Sequence, residues 1–409
     1  MKILLSAYSC EPHKGSEPEV GWQCAVHLAA SGHDVWVLTR ANNRASIEQE
    51  LGRLALPSLR FLFYDLPAWV RHWKSGRRGL YAYYLLWQWG GYRLAARAHR
   101  DVGFDLVHHV TLASIRFPSF MGRLGIPFIF GPVGGGETAP LGLRWGYGWK
   151  GFLRDAVRDL SNCFIRIDPL VRLTLRQATR IFVTSEQTRA LVPRVFQDKT
   201  RLRLAIGHDS APVAERGSAR EFDGFSLLYV GEFLYLKGMH LGLRAFSLLL
   251  TSCPKARLTL IGKGSAEKEW KRLARQLGIQ ERVIWIPWMR RQELLRRYGQ
   301  YDVFLFPSLH DSGGFVLLEC LSAGLPVVCF NVGGPGIIVD DTCGRVIDVE
   351  NGGCDAVVQR LADELRRLSA DQKLRNRLSA GARQRARQFE WQRQIGTLYE
   401  TADIREASA

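Results

Sequence analysis

The stretch "PSLHDSGGFVLLECLSAGLP", from Pro307 to Pro326, decides the fold of this chain. It begins as the end of an apolar strand, turns through an acidic loop with two glycines, and continues as an apolar helix. Gly324 ends that helix, and Pro326 starts the next strand. Strand, loop, helix and strand in this order form the repeating unit of a parallel α/β sheet. One carboxylate, Glu319, stands among the apolar residues of the helix, where an ionised group needs partners.

The same unit recurs along almost all of the 409 residues, which is too long for one ordinary core. Six strands are predicted before the polar, turn-rich segment 207–224, and six after it. We therefore predict a first domain at 1–206, a linker at 207–224, a second domain at 225–385, and a C-terminal helix at 386–409 that can cross back to the first domain. The predicted strands are "KILLSA", "DVWVLT", "LRFLFY", "DLVHHV", "IPFIF" and "RIFVT", then "SLLYVG", "ARLTLIG", "RVIWI", "DVFLFP", "PVVCF" and "RVIDV".

This alternation of strands and helices predicts an α/β protein with two doubly wound, Rossmann-like domains that face each other across a cleft. Open parallel sheets bind ligands at the carboxyl ends of their strands. Functional residues are therefore expected directly after strands.

Composition places the chain among soluble globular proteins, with 46% hydrophobic and 23% charged residues. The net charge of +17 favours an anionic partner. The eight cysteines form no CxxC pair or zinc-type cluster, which indicates free thiols in a reducing compartment. The N-terminal apolar run is too short for a signal peptide, and no stretch is long enough to span a bilayer. We predict a cytoplasmic protein whose membrane contact, if any, is peripheral, on the inner face of the cytoplasmic membrane.

The loop before the apolar helix has the features of an anion site. Gly313 and Gly314 remove side chains where free N–H groups and the helix dipole favour negative charge. With Asp311 ahead of them and Glu319 inside the helix, a phosphate flanked by hydroxylated groups fits the arrangement. If the helical path extends back to Asp311, the two carboxylates lie roughly 12 Å apart along the helix axis. The alternative is that Asp311 or Ser312 caps the helix and Glu319 is a satisfied core residue.

This segment resembles the two-carboxylate signature of family 4 glycosyltransferases, which are retaining enzymes of the GT-B fold. That signature is Glu, seven residues and Glu, followed by a "G-x-P-V-V" strand. Asp311 takes the place of the first Glu and Glu319 that of the second. The resemblance implies that Glu319 binds the ribose hydroxyls of a nucleotide and that Asp311, one methylene shorter than Glu, contacts the donor sugar. Phe315 is counted with Gly313 and Gly314 as donor-binding.

A second motif, "LLYVGEFLYLKG", ends a strand at Gly231 and places Lys237 in the loop that follows. It resembles the family pattern "G-R-L-x-x-x-K-G", which implies that Lys237 binds the donor diphosphate. Glu232 stands where the family has Arg, so a bidentate phosphate donor is replaced by a negative charge. The "LIGKGS" segment, with Gly262 after its strand, follows the family order and adds Gly262 to the donor-binding residues.

The first half carries weaker signals. Gly15 and Ser16 align by spacing with a family glycine pair, in a loop that allows backbone N–H groups to approach a phosphate or sugar. In "FDLVHHVT", His109 is a catalytic candidate, and the alternative is a strand-end histidine bonded to backbone. Glu137 follows three glycines in "FGPVGGGETAP". We infer from that loop, rather than from the family, that Glu137 orients the acceptor or the donor.

The resemblance implies a hexosyltransferase that moves a sugar from a nucleotide diphosphate to a glycan or lipid-linked acceptor, in polysaccharide or glycolipid assembly of the bacterial type. No D-x-D triplet is present, and we expect neither a metal nor another cofactor. Two alternatives stay open: a non-hydrolysing nucleotide-sugar epimerase, and a basic nucleic-acid-binding protein. The second lacks any helix-turn-helix, zinc-finger or RNP-like motif, so no nucleic acid is expected as a partner.

Two stretches combine aromatic and basic residues: 67–100, which has no Asp or Glu, and "LRWGYGWKGFLRDAVRDL" at 143–160. Such mixtures suit the headgroup zone of an anionic membrane. They therefore predict that the first domain docks on the membrane to reach a lipid-linked acceptor. The alternative is a core helix whose arginines are solvated.

Overall fold

The computed structural model describes residues 1–71, 79–209 and 222–401. It contains two wholly parallel sheets with helices between successive strands, which confirms the predicted α/β class. The strands of the first sheet are β1 (Lys2–Ala7), β2 (Asp34–Arg40), β3 (Leu59–Tyr64), β4 (Leu106–Thr111), β5 (Phe128–Val133), β6 (Arg180–Val183) and β7 (Thr200–Leu202). Those of the second are β8 (Ser226–Val230), β9 (Arg257–Ile261), β10 (Val283–Ile286), β11 (Val303–Phe306), β12 (Val327–Phe330) and β13 (Gly344–Ile347).

The helices alternate with these strands. In the first half they are α1 (Ser16–Ala30), α2 (Arg44–Leu51), α3 (Ala68–Arg71), α4 (Leu80–Val102), α5 (Gly148–Phe164), α6 (Pro169–Gln177) and α7 (Glu186–Leu191). In the second half they are α8 (Met239–Leu250), α9 (Glu267–Gln276), α10 (Arg291–Arg297), α11 (Phe315–Ser322), α12 (Pro335–Ile338), α13 (Cys354–Ala370), α14 (Gln372–Arg387) and α15 (Trp391–Thr401).

Both sheets are doubly wound. Their strand orders are β3-β2-β1-β4-β5-β6-β7 and β10-β9-β8-β11-β12-β13, so the direction of winding reverses between β1 and β4 and between β8 and β11. Central strands such as β4, β5 and β12 are buried along their whole length, as expected where helices cover both faces. The twelve predicted strands are present. The sequence did not indicate β7, which is too short to show a pattern.

The chain folds as two compact units. The first unit takes 1–136, 160–207 and α15, and the second takes Glu137–Asp159 with the described part of His208–Glu390. The predicted linker, 207–224, falls largely on 210–221, which lie outside the described residues.

The segment Glu137–Asp159 was predicted within the first domain but packs in the second unit. The Tyr235 hydroxyl donates to Asp155 at 3.2 Å, and the rings of Tyr147 and Tyr235 meet edge to face with centroids 4.8 Å apart. Gly146 lies so close to His240 that an added Cβ would come within 2.1 Å of the imidazole. These contacts join residues about 80 positions apart, so local sequence patterns do not predict them.

The last described helix, α15, belongs to the first unit. Its Tyr399 hydroxyl lies 2.7 Å from Nδ1 of His108 in β4, and Nε2 of the same ring lies 2.6 Å from the carbonyl oxygen of Gly131. A neutral ring that donates from Nε2 and accepts at Nδ1 satisfies both contacts. His108 therefore connects the centre of the first sheet to the end of the chain.

No helix in the described parts of the chain is both long and apolar enough to cross a bilayer.

Candidate functional site

The switch point of the second sheet brings together the two loops that the sequence singled out. Lys237 follows β8 and Asp311 follows β11, and their side chains form an ion pair with Nζ 2.7 Å from Oδ2. The Ser308 hydroxyl donates to the same carboxylate oxygen at 2.9 Å. Both charged side chains are about one-fifth exposed, at 19% and 18%. An open α/β sheet binds its ligand at this position, so the pair lies where a substrate is expected.

A glycine allows these loops to approach each other. Gly238 has φ 64°, and a Cβ there would lie 1.9 Å from the carbonyl oxygen of Pro307 at the end of β11. The backbone N–H of Leu309 also donates to the carbonyl of Leu236 at 2.9 Å. Any side chain at position 238 would force the loops apart, and the Lys237–Asp311 pair depends on their contact.

We expect Gly238→Ala to destabilise the protein by about 2 kcal/mol or more, since it combines backbone strain with a clash against main chain. Gly278→Ala is the matched control, because Gly278 has φ 68° but open space around its missing Cβ. That control should cost only the backbone strain, about 1 kcal/mol. Urea unfolding of both variants measures the difference. Equal losses would show that the approach of the two loops tolerates a methyl group.

The loop that carries Asp311 is not helical, contrary to the interpretation that extended the helix back to it. α11 begins at Phe315. Gly314 before it has a backbone φ of 130°, which residues other than glycine rarely adopt. The carbonyl oxygen of Asp311 accepts from the N–H of Gly334 at 2.9 Å. The loop is therefore fixed by its neighbour after β12, and Asp311 does not cap α11 through its side chain.

Glu319 on α11 has two partners that the sequence did not reveal. Its Oε1 accepts from Nε of Arg291 at 2.9 Å, and its Oε2 accepts from the Tyr298 hydroxyl at 3.0 Å. Tyr298 is fully buried, whereas the Arg291 side chain is 72% exposed. Tyr298 therefore fixes the orientation of the carboxylate from the buried side, and Arg291 meets it from the solvent side. The partners lie 28 and 21 residues away in sequence, without a local signal.

Glu137 is placed in the second unit and is buried, with 1% of its surface exposed. Its Cγ lies 2.8 Å from where a Cβ of Gly333 would be, and the same missing Cβ would lie 2.0 Å from the carbonyl of Asp311. The structure thus brings Glu137 beside the Asp311 loop, although 174 positions separate the two residues.

Gly231 and Gly262 lie where β8 and β9 end. A Cβ on Gly262 would come within 2.0 Å of the carbonyl oxygen of Gly231, so these loops pack backbone against backbone. Glu232, which stands where the family has Arg, is exposed. Its backbone carbonyl oxygen accepts from the Tyr229 hydroxyl at 3.1 Å, which fixes the main chain at this position. Lys263 in the adjoining loop is also exposed. No sequence motif indicates Lys263. Its ammonium lies in the loop next to Glu232 and offers a positive charge near the position where the family has Arg.

In the first unit, Gly15 and Ser16 form the entry to α1 with φ 64° and 54°. Glu17, next to them, accepts from the N–H of Ala113 at 2.6 Å, which ties this loop to the one after β4. Burial raises the pKa of the Glu17 carboxyl, and the backbone N–H groups of Ala113 and Leu112 oppose that rise. No sequence motif indicates a role for Glu17, and the structure makes it a link across the first switch point.

His109 is fully buried within β4, with its ring 5.3 Å from that of Phe130. Burial, with a smaller contribution from the charge of His108, lowers its pKa to about 3. The ring is therefore neutral at physiological pH and is not exposed to solvent. Its catalytic role stays a prediction, and in this structure it would act only after a rearrangement of β4 or its loop.

Among the described residues, no three His, Cys, Asp or Glu side chains are grouped so that they could hold a metal ion. The expectation of a metal-independent site stays a prediction.

The chain matches two families that together cover most of its length. Residues 17–205 match the family described as "Glycosyl transferase 4-like domain", and residues 215–385 match "Glycosyl transferases group 1". The chain is a group 1, family 4-type glycosyltransferase. The predicted enzyme class, a hexosyltransferase, is confirmed by these matches and by the relatives.

The glycosyltransferase is similar over most of its length to the D-inositol 3-phosphate glycosyltransferase of Thermomonospora curvata. The two are 29% identical over 405 residues, which is 92% of this chain and 88% of the relative. Two further alignments are shorter: they cover 39% of the D-inositol 3-phosphate glycosyltransferase of Xylanimonas cellulosilytica and 38% of the sulfoquinovosyl transferase SQD2 of Arabidopsis thaliana.

Solved structures with the same architecture confirm the predicted GT-B fold of the glycosyltransferase. Sucrose-phosphate synthase from Thermosynechococcus elongatus has a TM-score of 0.69 at 20% identity, with both chains covered completely. HepE from Anabaena in complex with UDP has a TM-score of 0.62 at 17% identity, with 98% of this chain and 99% of that chain covered. At these identities the likeness shows the fold alone.

Proposed function

We propose that this glycosyltransferase moves a hexose from a nucleotide diphosphate to a glycan or lipid-linked acceptor, with retention of anomeric configuration, in polysaccharide or glycolipid assembly of the bacterial type. The observation that supports it most directly is the Lys237–Asp311 ion pair at the switch point of the second sheet. Retention and the biosynthetic setting rest on the family resemblance. The two rival functions, epimerase and nucleic-acid binding, have no support from the matched families.

Lys237 is proposed to stabilise the diphosphate. Breaking the bond between sugar and phosphate transfers negative charge to the leaving nucleotide, and a fixed ammonium lowers the energy of that charge in the transition state. The N–H groups of the Gly313–Gly314 loop and the start of α11 add partial positive charge in the same region. Asp311, which itself accepts from the Ser308 hydroxyl, holds Lys237 in place before the donor binds, so the ammonium needs little reorganisation.

The two carboxylates are proposed to divide the donor between them. Asp311 accepts hydrogen bonds from the sugar hydroxyls, close to the bond that breaks. Glu319 accepts from the ribose hydroxyls after the exposed Arg291 has moved away, while Tyr298 keeps the carboxylate oriented. The donor is proposed to be a nucleotide sugar; HepE, which shares the fold, was solved with UDP, and this supports a nucleotide ligand.

The first unit is proposed to bind the acceptor, through the loops that follow β1 and β4. Gly15 and Ser16 provide backbone N–H groups there, and Glu17 fixes the loop geometry. We propose no resident cofactor, because Lys237 and backbone amides supply positive charge to the leaving diphosphate. This mechanism predicts that chelators leave activity unchanged.

A thermal-shift screen with UDP, GDP, ADP and their glucose conjugates tests the proposal. A nucleotide that binds only the native state raises the melting temperature. At a concentration 100 times its dissociation constant, it adds about 2.7 kcal/mol to the free energy of unfolding. The stabilising donor is then incubated with a lipid-linked glycan extract, with and without EDTA. We expect sugar transfer that EDTA leaves unchanged.

Three outcomes would contradict parts of the proposal. Absence of any shift would contradict a nucleotide donor, and loss of transfer in EDTA would contradict metal independence. Interconversion of the donor sugar without an acceptor would favour an epimerase.

A further inference from the structure

Helix α5 has its polar side turned inward. Asp155 is fully buried on that side, where it meets Nη2 of Arg158 at 3.1 Å and the Tyr235 hydroxyl at 3.2 Å. Arg144, which is only 5% exposed, pairs with Asp159 at 2.6 Å. This ion-pair network lies on the inner side of α5, within the second unit, in the position that apolar side chains occupy under an ordinary amphipathic helix.

The apolar side of α5 is turned outward. Its large side chains recur every three or four residues, which places them on one side of the helix. They are between 49% and 73% exposed, whereas a surface helix normally buries such a stripe. We call this surface the outer face of α5; it consists of Trp149, Phe152, Leu153, Val157, Leu160 and Phe164.

Basic residues border the outer face. Lys150 and Arg154 are exposed beside it, and Nζ of Lys150 lies 5.5 Å from the centre of the Trp149 ring. The two acids of α5, Asp155 and Asp159, are both engaged on the inner side. An apolar face about 22 Å long with an adjoining positive border has the chemistry of a helix that lies in the headgroup layer of an anionic bilayer.

A second copy of the chain fits this surface less well. Two copies related by twofold symmetry would place the same face on itself, so that Lys150 and Arg154 would lie near their own copies without an exposed acid of α5 to pair with. The net charge of +17 adds to that repulsion and favours an anionic surface.

We propose that the outer face of α5 docks this glycosyltransferase on an anionic lipid bilayer, with the apolar stripe inserted among the headgroups and acyl chains. The sequence placed a membrane contact on 67–100 as well as on 143–160. In α4, Tyr83, Tyr84 and Trp87 are buried in the core, whereas Tyr81, Leu86 and Trp89 are exposed without forming a continuous stripe as large as that of α5. Residues 72–78 lie outside the described residues, and a membrane contact on 67–100 stays a prediction. The proposal is independent of the donor, so its failure would leave the nucleotide assays unaffected.

Vesicle flotation of the full chain tests the proposal. We expect co-flotation with phosphatidylglycerol/phosphatidylcholine vesicles at low salt and much weaker flotation with phosphatidylcholine alone. Leu153→Glu with Leu160→Glu should lower the partition coefficient at least about tenfold, because it places charge within the inserted stripe. Val195→Glu with Trp288→Glu is the matched control, since both residues are exposed apolar side chains away from α5, at 72% and 67%.

The charge contribution has its own pair of variants. Lys150→Glu with Arg154→Glu should also weaken binding about tenfold on anionic vesicles. Arg194→Glu with Lys268→Glu makes the same change in net charge at exposed positions elsewhere. If both pairs lower binding equally, the effect is one of net charge, and the proposed border is wrong.

A label provides a direct measure that does not depend on a destabilising substitution. Cys163 on α5 is the exposed member of the eight cysteines, all of which are described. An environment-sensitive fluorophore there should shift to shorter wavelength when anionic vesicles are added. An unchanged spectrum, or a dimer in light scattering that the Leu153→Glu, Leu160→Glu variant separates, would overturn the proposal in favour of no membrane contact or of a second copy.

Discussion

Lys237→Met should lower kcat by roughly 100- to 1000-fold, the usual loss when one preorganised group that stabilises transition-state charge is removed. Methionine keeps an unbranched side chain of similar length, which can maintain the contact that Lys237 makes over the ring of Phe306 at 5.7 Å. The loss is therefore in charge rather than in packing. Initial rates of sugar transfer at saturating donor measure it.

Two further variants separate catalysis from folding. Lys268→Met changes an exposed lysine of α9 and should leave the rate unchanged. Lys237→Met with Asp311→Asn removes both members of the ion pair, so no carboxylate is left unpaired beside Ser308. If the double variant regained the rate of the wild type, Lys237 would serve only to neutralise Asp311. A kcat for Lys237→Met within about threefold of the wild type would contradict its proposed role.

Glu319→Gln should weaken binding of the stabilising nucleoside diphosphate about 10- to 100-fold, which corresponds to the loss of charge-assisted hydrogen bonds to ribose. The variant should fold normally, because the amide oxygen of Gln can still accept from the Tyr298 hydroxyl. Calorimetric titration with the nucleoside diphosphate, without sugar, measures the loss.

Asp311→Asn is the informative comparison. It should bind the nucleoside diphosphate nearly as well as the wild type and lose mainly the additional affinity for the nucleotide sugar. Arg291→Ala should bind at least as well as the wild type if, as proposed, the exposed arginine leaves Glu319 when ribose binds. Equal losses from Glu319→Gln and Asp311→Asn would show that the two carboxylates do not divide the donor as proposed.

The sequence predicts much of the fold because strands and helices are encoded locally. Strands such as "DVFLFP" and "PVVCF" are short apolar runs closed by turn residues, and a parallel sheet buries such runs on both faces. The doubly wound order then places the residues after β8 and β11 together, which is why Lys237 and Asp311 could be predicted as members of one site.

Contacts between distant residues were not predictable in this way. Nothing around Glu319 indicates that Tyr298 and Arg291 meet it, because helix α10 and the turn after it could pack in several registers. Glu137 was singled out for the glycines before it, yet its position beside Gly333 follows from the packing of 137–159 in the second unit.

The orientation of α5 shows a different limit. The spacing of Trp149, Leu153 and Phe164 indicates that one side of the helix is apolar, and the usual expectation is that this side faces the core. Asp155 instead pairs with Arg144 and accepts from the Tyr235 hydroxyl on the inner side, so the polar side of the helix faces inward and the apolar side faces outward. A pattern of period 3.6 defines a face but not the direction in which it points.

The assignment of Glu137–Asp159 to the second unit affects how the protein is made. On the ribosome this segment emerges before residues 208–390, with which it packs. It therefore cannot form these contacts until the rest of its unit has been synthesised. A recombinant fragment that begins at residue 208 would lack it permanently. Such a fragment would expose Tyr235 and the imidazole of His240, which Tyr147 and Gly146 cover in the whole chain. The second unit is therefore compact without being a continuous piece of sequence.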